Sequence, residues 1–220
     1  MTIHKKLCPK GLGNNPNKNL TSISYITIHS TANYKSTATA KSHADWVYGG
    51  SMENGKPTKV SWHYTVDDKE IWQHFEDRQA CWHAGDNSGD GNFRSIGIEI
   101  CVNNRDGFRK ACENAARLTA DLLKKYGLGI ERVVQHRHWS GKDCPSELRG
   151  NIWGTSWNDF IGMVKKYLGT AAAEEMYRVR KAWTDIAGQK GAFRVLANAK
   201  ACADKYPGYR VYNSAGSVVY

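Results

Sequence analysis

Two distant segments of this chain carry residues that can bind a metal ion. The segment Ile28-His29-Ser30-Thr31 ends an apolar stretch with a histidine, and the polar segment 135–145 contains both His136 and Cys144. Two imidazoles and a thiolate form a three-ligand set of the type that leaves zinc an open fourth position for water. Zinc with such an open position can activate the water for hydrolysis. These residues therefore predict a hydrolytic zinc centre.

Alternatives exist for these ligands. A lone histidine such as His29 can simply close a strand through hydrogen bonds. His138 lies two residues from His136, and spacing alone does not choose between them. Gly141 gives the segment the backbone freedom to return Cys144 to the same metal. The chain has six cysteines and no Cys-x-x-Cys pair, so we expect reduced thiols, with Cys144 as a ligand.

Further residues could complete a hydrolytic site. Glu99 lies on the face of its predicted strand opposite three isoleucines, where a carboxylate can be either an exposed charge or a general base. Lys142, two residues before Cys144, can stabilise a developing oxyanion. Trp62, Trp82 and His83 are candidates for the wall of a substrate groove, although tryptophan at position 62 is also typical of a core.

Residues 20–168 alternate between strand and helix patterns, which predicts an α/β fold with a central mixed β-sheet flanked by helices. In such a fold we expect the candidate ligands at strand ends and in the following loops. The predicted strands cover residues 23–29, 60–66, 70–75 and 95–101, and the predicted helices cover residues 36–48, 109–126 and 157–168.

The C-terminal fifth of the chain differs in composition from the rest. We divide the chain into a catalytic domain at residues 1–168, a linker at 169–176 and a small α+β module at 177–220. The module has eight basic and two acidic residues, more than half of the net charge of +10 of the 220-residue chain. A module this short is marginally stable by itself. Its predicted elements are a strand at 177–180, a helix at 192–205 and a hairpin at 209–220.

The positive net charge predicts an anionic partner, and both nucleic acid and the acidic bacterial wall fit. No apolar run reaches the length of a membrane span, so none is expected. Residues 1–9 carry charge without a following apolar stretch, so we expect no secretory signal and synthesis in the cytoplasm.

Five motifs resemble, in the same order, those of the zinc-dependent N-acetylmuramoyl-L-alanine amidases of the type-2 amidase family. The resemblance covers residues 20–168 and implies the fold shared with peptidoglycan recognition proteins and phage amidase lysozymes. The motifs are Tyr-Ile-Thr-Ile-His-Ser-Thr at 25–31, Ser-Trp-His-Tyr at 61–64, Trp-His-Ala-Gly at 82–85, Arg-Ser-Ile-Gly-Ile-Glu-Ile at 94–100 and the segment from 136 to 145.

The resemblance implies Zn²⁺ as the cofactor, with ligands at His29, His136 and Cys144, and so favours His136 over His138. It implies catalytic roles for Glu99 and Lys142 as well. The reaction would be hydrolysis of the amide between N-acetylmuramic acid and L-alanine in peptidoglycan.

One position departs from the family pattern. Phage lysozymes and catalytic recognition proteins have a tyrosine where this chain has Trp62. An indole cannot take the acid–base role of a phenol. The resemblance therefore implies a mechanism that depends on Glu99.

The module at 177–220 is similar to the short wall-binding modules of clostridial phage and prophage endolysins. This second resemblance implies an endolysin that acts on the cell wall after release, with anionic wall polymers as further partners of the module. A host autolysin of the same activity is an alternative. A non-catalytic peptidoglycan-binding module is another, against which Cys144 argues. A nucleic-acid binder is not expected, because the chain lacks a recognisable motif for it.

Overall fold

The computed structural model of the chain describes residues 2–169 and 176–220. The chain divides into two compact units, with the boundary after Gly169. The linker that we predicted at 169–176 lies almost entirely outside the described residues. None of the described helices is long and apolar enough to cross a membrane.

The first unit alternates strands and helices along the chain. Its strands are β1 (Ile3–Lys5), β2 (Tyr25–Ser30), β3 (Met52–Glu53), β4 (Lys56–Pro57), β5 (Tyr64–Val66), β6 (Ile71–Gln73), β7 (Ser95–Ile100) and β8 (Val133–Gln135). Its helices are α1 (Ala40–Tyr48), α2 (Asp90–Phe93), α3 (Phe108–Tyr126), α4 (Arg137–Ser140), α5 (Ser146–Arg149) and α6 (Trp157–Leu168), and a 3₁₀ turn spans Ile130–Arg132.

Six of these strands form one mixed sheet in the order β1-β6-β5-β7-β2-β8. Strand β2 lies parallel to β7 and β8, and β5 lies parallel to β7, whereas β5 and β6 are antiparallel. Strands β3 and β4 form a separate two-stranded hairpin. The predicted α/β fold with a central mixed sheet is therefore confirmed.

The two faces of the sheet differ in chemistry. One face presents fully buried isoleucines of β2 and β7, which pack with helices α3 and α6 in the main hydrophobic core. The other face of the same strands carries polar residues, among them Thr27, His29 and Glu99. Because side chains alternate along a strand, one sequence pattern builds the core and places the candidate site on the opposite face.

Local signals account for the element ends that were predicted well. Helix α3 ends at Gly127, which has a φ of 63° and donates its N–H to the carbonyls of Leu123 and Lys124. Helix α6 begins with a capping box in which Ser156 and Asp159 each bind the other's backbone.

Other boundaries were wrong. Helix α1 begins at Ala40 rather than at residue 36, because Thr39 caps it by accepting a hydrogen bond from the backbone of Ser42. The strand predicted at 60–66 is reduced to β5, since the Ser61 N–H donates to the carbonyl of Trp82, which lies outside the sheet. Strands β1 and β8 were not predicted.

The second unit contains β9 (Tyr177–Arg180), β10 (Gly191–Phe193), α7 (Leu196–Ala203) and β11 (Arg210–Tyr212). Its strands form an antiparallel sheet in the order β10-β9-β11. The helix starts at Leu196 rather than at residue 192, because residues 191–193 pair with β9. The predicted C-terminal hairpin is present as a bridge between Tyr212 and Val218. The small core of the second unit contains Val179, Ala199, Ala203 and Val211.

A buried carboxylate joins the sheet to helix α3. Asp77 Oδ2 accepts hydrogen bonds from Lys125 Nζ at 2.7 Å and from the Tyr126 hydroxyl at 2.6 Å. Its Oδ1 accepts from the Tyr64 hydroxyl and from Gln73 Nε2. Burial alone would raise the pKa of Asp77, but the hydrogen bonds from Lys125, Tyr126 and Tyr64 outweigh it and hold that pKa below its usual value.

We expect Asp77→Asn to lower the free energy of unfolding at pH 7 by about 2–3 kcal/mol, because hydrogen bonds to a charged acceptor are lost. The folded-state pKa lies below the unfolded value, so this stabilisation is present above about pH 4 and is lost as the pH falls further. Urea unfolding should therefore show a smaller difference between variant and wild type at pH 3 than at pH 7. Asp121→Asn, at an exposed position of α3, is the control; a pH-independent difference for Asp77→Asn would contradict the charge argument.

Candidate metal centre

Neighbouring parallel strands deliver the two candidate histidine ligands. His29 lies near the C-terminal end of β2, in register with Glu99 of β7. His136 directly follows β8, and its backbone N–H donates to the Ile28 carbonyl at 3.2 Å. The register of β2 against β8 therefore brings two histidines that are far apart in sequence to the same sheet edge.

The loop after β8 returns Cys144 to this edge. The Arg137 N–H donates to the Cys144 carbonyl at 3.1 Å, which closes the loop at its base. Gly141 turns the chain with a φ of 76°, a conformation that favours glycine. The predicted role of this glycine in bringing Cys144 back to His136 matches the observed turn.

Arg149 of helix α5 braces the same loop. Its Nη1 donates to Gln135 Oε1 at 2.8 Å, and its Nε donates to Asp143 Oδ1 at 2.6 Å. Gln135 and Asp143 are the residues just before His136 and Cys144, so one guanidinium connects the approaches to both ligands. Arg149 was not predicted as a site residue, because no local motif marks it.

The three candidate donor atoms lie close enough to share one metal ion. His29 Nδ1 is 3.0 Å from His136 Nδ1 and 3.9 Å from Cys144 Sγ, and all three atoms lie within 4.8 Å of one another. Tetrahedral zinc would separate two nitrogens by about 3.3 Å and a nitrogen from a sulfur by about 3.6 Å. His138, the alternative, is exposed and contacts Tyr25 and Trp139 instead. The donor set therefore fits a metal of this type.

The two candidate histidines are in the protonation state that metal binding needs, whereas the cysteine is not. Burial, together with neighbouring His83 and His136, holds the pKa of His29 well below its usual value. Burial also lowers the pKa of His136 to about 4, so both imidazoles are neutral at pH 7. Burial raises the pKa of the Cys144 thiol to about 12 in the metal-free protein. The thiol must therefore release its proton when a metal binds.

Glu99 lies beside the donor atoms. Its Oε1 is 3.8 Å from His29 Nδ1, and 14% of its side chain is exposed. Its buried Oε2 has no hydrogen-bond partner among the described residues. Burial raises the pKa of Glu99 to about 8, although the Lys142 charge opposes the rise. The pKa of this carboxyl group is thus close to neutral pH, which is the range in which a general acid or base works best.

Two adjoining clefts meet at Glu99. One has a volume of about 590 Å³ and is also lined by Trp82, His83 and His136. The other has a volume of about 650 Å³ and extends along the loop after β2 and the start of α1. The side chains that line both clefts are Val60, Trp62, Glu99 and Lys142. A substrate long enough to occupy both would pass over Glu99 and Lys142.

The three predicted groove residues differ in their surroundings. Trp62 is 5% exposed, stacks on Trp46 and donates its indole N–H to Thr65 Oγ1 at 2.7 Å. Trp82 is partly exposed and packs edge-on against Phe93. His83 is 7% exposed, and its Nδ1 lies 3.0 Å from His29 Nε2. That last contact, which joins residues 54 positions apart, had no signal in the sequence.

Comparison with known proteins identifies a common family. Residues 19–147 match the family model Amidase_2, described as N-acetylmuramoyl-L-alanine amidase. The chain is similar to N-acetylmuramoyl-L-alanine amidase XlyA of Bacillus subtilis (strain 168), with 42% identity over 148 residues, or 67% of this chain and 48% of XlyA. It is also similar to N-acetylmuramoyl-L-alanine amidase CwlH of the same organism, with 42% identity over 162 residues, or 73% of this chain and 60% of CwlH.

The fold agrees with these sequence matches. The solved catalytic domain of XlyA superposes with a TM-score of 0.65 and 41% identity, covering 74% of this chain and 99% of that domain. The chain spans about half the length of the curated relatives that it matches.

The raised pKa of Glu99 predicts a pH-dependent cost to the metal-free fold. Between the ordinary value of 4.5 and about 8, the folded chain binds more protons than the unfolded chain, so stability falls as the pH rises through this window. We expect Glu99→Gln to remove this loss and to be more stable than wild type at pH 8 by on the order of 2 kcal/mol. Urea unfolding in excess chelator at pH 5 and pH 8 measures the difference, which should be smaller at pH 5. An equal difference at both pH values would contradict the burial argument.

Proposed function

Because the chain belongs to the Amidase_2 family of N-acetylmuramoyl-L-alanine amidases, we propose that it hydrolyses the amide bond between N-acetylmuramic acid and L-alanine in peptidoglycan. The observation that carries this proposal is the convergence of the donor atoms of His29, His136 and Cys144 within 4.8 Å, beside Glu99, which lines two adjoining clefts. A long polymer such as peptidoglycan suits a cleft that continues on both sides of the reacting position.

Zinc is the metal that we assign to this centre. His29, His136 and Cys144 would hold it, since two neutral imidazoles and a thiolate are ligands that zinc prefers. When bound, it would supply Lewis acidity and would lower the pKa of a water molecule in its open fourth position. The remaining chemistry falls to side chains of the chain itself.

Glu99 is our candidate for the proton-transferring group. A carboxylate there would accept a proton from the attacking water and return it to the departing amine of L-alanine. Its pKa of about 8 in the metal-free protein is close to the working range of such a group, and a bound cation would lower it. Lys142 lines both clefts beside Glu99 and would stabilise the negative charge that develops on the scissile carbonyl oxygen.

The two tryptophans would contact the substrate without taking part in proton transfer. The indole N–H of Trp62 is already bonded to Thr65, so this residue would contact a substrate through its apolar ring atoms. Trp82 lines the cleft that also contains His136. Aromatic walls of this kind pack against the apolar faces of sugars or peptides, and we assign both residues to substrate binding.

We propose the role of a phage or prophage endolysin that acts on the cell wall after release. A host autolysin of the same activity is the alternative. A non-catalytic peptidoglycan-binding module is the second alternative, and the complete donor set with Glu99 beside it favours catalysis. Zinc analysis separates the two hydrolases from the non-catalytic module, because a module that only binds needs no metal.

We assign wall binding to the second unit. Lys190 Nζ lies 5.3 Å from the ring centre of Tyr206 and 5.4 Å from that of Tyr209, and Lys181 Nζ lies 5.6 Å from the Tyr209 ring. This cluster of two exposed lysines, the exposed Tyr206 ring and the half-buried Tyr209 ring is suited to an anionic wall polymer, because it combines charge with flat apolar surface.

Substitution of Glu99 and substitution of Cys144 should have different effects. Glu99→Gln should keep its zinc and lose about 100-fold or more in the rate of release of peptides with an N-terminal L-alanine from purified walls. Cys144→Ser should lose zinc and activity together. Mass spectrometry of the products and elemental analysis of the protein measure these outcomes. Glu131→Gln, at an exposed position, is the control. Near wild-type release by Glu99→Gln would show that another group transfers the proton.

The full-length double variant Lys181→Gln/Lys190→Gln should lose at least about threefold in affinity for purified walls, because electrostatic attraction to the polymer is reduced. Binding of the wild type should also weaken with salt. The variant Lys69→Gln/Lys110→Gln removes the same charge from exposed positions of the first unit and is the control. Cosedimentation with walls measures both, and equal binding by the two variants would remove the assignment to this cluster.

A further inference from the structure

His83 contacts the candidate ligand His29 directly. His29 Nε2 and His83 Nδ1 are 3.0 Å apart, and the two rings meet edge-on with centroids 5.1 Å apart. Both side chains are buried. Water therefore competes little for this hydrogen bond, which is stronger than it would be at the surface.

The geometry determines which nitrogen donates. His29 Nδ1 is the atom that faces His136 and Cys144, so Nε2 points away from the donor cluster and towards His83. A neutral imidazole that binds a metal through Nδ1 carries its proton on Nε2. The His29 N–H must then donate to His83 Nδ1, which accepts as the lone pair of a neutral ring.

His83 is itself held in place from two sides. Asn92 Oδ1 accepts hydrogen bonds from the backbone N–H groups of His83 and Ala84, each at 2.8 Å. On the other side the His83 ring lies against Gly97 of β7, where a Cβ atom would come within 2.9 Å of the ring. The glycine between Ile96 and Ile98 therefore provides the space that the ring occupies.

We propose that His83 is a positioning residue of the metal centre. It orients His29 and fixes the His29 tautomer by accepting a hydrogen bond from the Nε2–H group. Partners of this kind strengthen a ligand, because they hold the ring in place and increase the basicity of the coordinating nitrogen. Since the only acceptor nitrogen of His83 is already engaged, it has none left for a substrate. The inference rests on the proposed zinc centre.

A nearly isosteric pair of variants isolates the acceptor. His83→Asn keeps an oxygen close to the position of Nδ1, whereas His83→Leu has a similar shape without an acceptor. His74→Leu is the matched control, because His74 is a fully buried histidine that bonds Thr65 and does not contact His29. The zinc dissociation constant of each full-length protein is measured by competition with a chelator, and the cobalt-substituted forms are compared by absorption spectroscopy.

We expect His83→Leu to bind zinc about 10- to 100-fold more weakly than wild type, with a shifted cobalt spectrum. His83→Asn should recover a large part of this loss, and His74→Leu should leave zinc affinity unchanged. Equal zinc affinities of the Leu and Asn variants would overturn the proposal, as would a wild-type affinity in His83→Leu. If wild type itself binds no zinc, the proposed metal centre fails instead, which is a different result.

A measurement on the wild-type protein avoids any dependence on how the variants fold. In zinc-loaded protein labelled with ¹⁵N, the His29 Nε2 proton should be protected from exchange and should show scalar coupling across the hydrogen bond to His83 Nδ1. The same spectrum reports the tautomer of His83, which should be protonated on Nε2. A His83 ring protonated on Nδ1 would overturn the proposal.

Discussion

The first unit is organised around the convergence of one sulfur and two nitrogen donors in a buried position. Buried imidazoles are neutral and a buried thiol is protonated. Without a metal the three groups therefore carry little charge, and their burial costs little desolvation energy. The same burial would make the site favourable for a cation, because ligand charge is poorly screened there. The register of β2 against β7 and β8 sets this arrangement, since it places His29 beside both Glu99 and the loop that follows β8.

The central sheet separates stability from chemistry within single strands. Isoleucines on one face of β2 and β7 pack with α3 and α6, and the opposite face carries His29 and Glu99. Glu99 is a group that the fold accommodates at a cost, because its burial opposes ionisation. Buried groups with shifted pKa values and unpaired oxygens are typical of functional sites. The cost of burying them offsets part of the stability that the hydrophobic core provides. Asp77, in contrast, is a buried carboxylate with every oxygen engaged, and its role is to join the sheet to α3.

The two units suit two different tasks. The first has a large apolar core and two adjoining clefts, whereas the second has a core of a few side chains and a surface with several cation–ring contacts. A module of this size buries a smaller fraction of its surface on folding than a larger domain does. In the proposed function, attachment through the second unit would raise the local concentration of the bond to be cut.

The amino-acid sequence by itself determined the chemical types of the site and the elements that carry them. Strand and helix patterns in the sequence predicted β2, β7, α3 and α6, because such patterns reflect local backbone and solvation preferences. The choice of His136 over His138 came from family resemblance and then from geometry, since spacing allowed either. The tertiary structure alone decided the contact of His83 with His29, the brace of Arg149 and the short edge strand β8. These features join residues of different strands, helices and loops, and only the folded arrangement of those elements brings them within a hydrogen bond of each other.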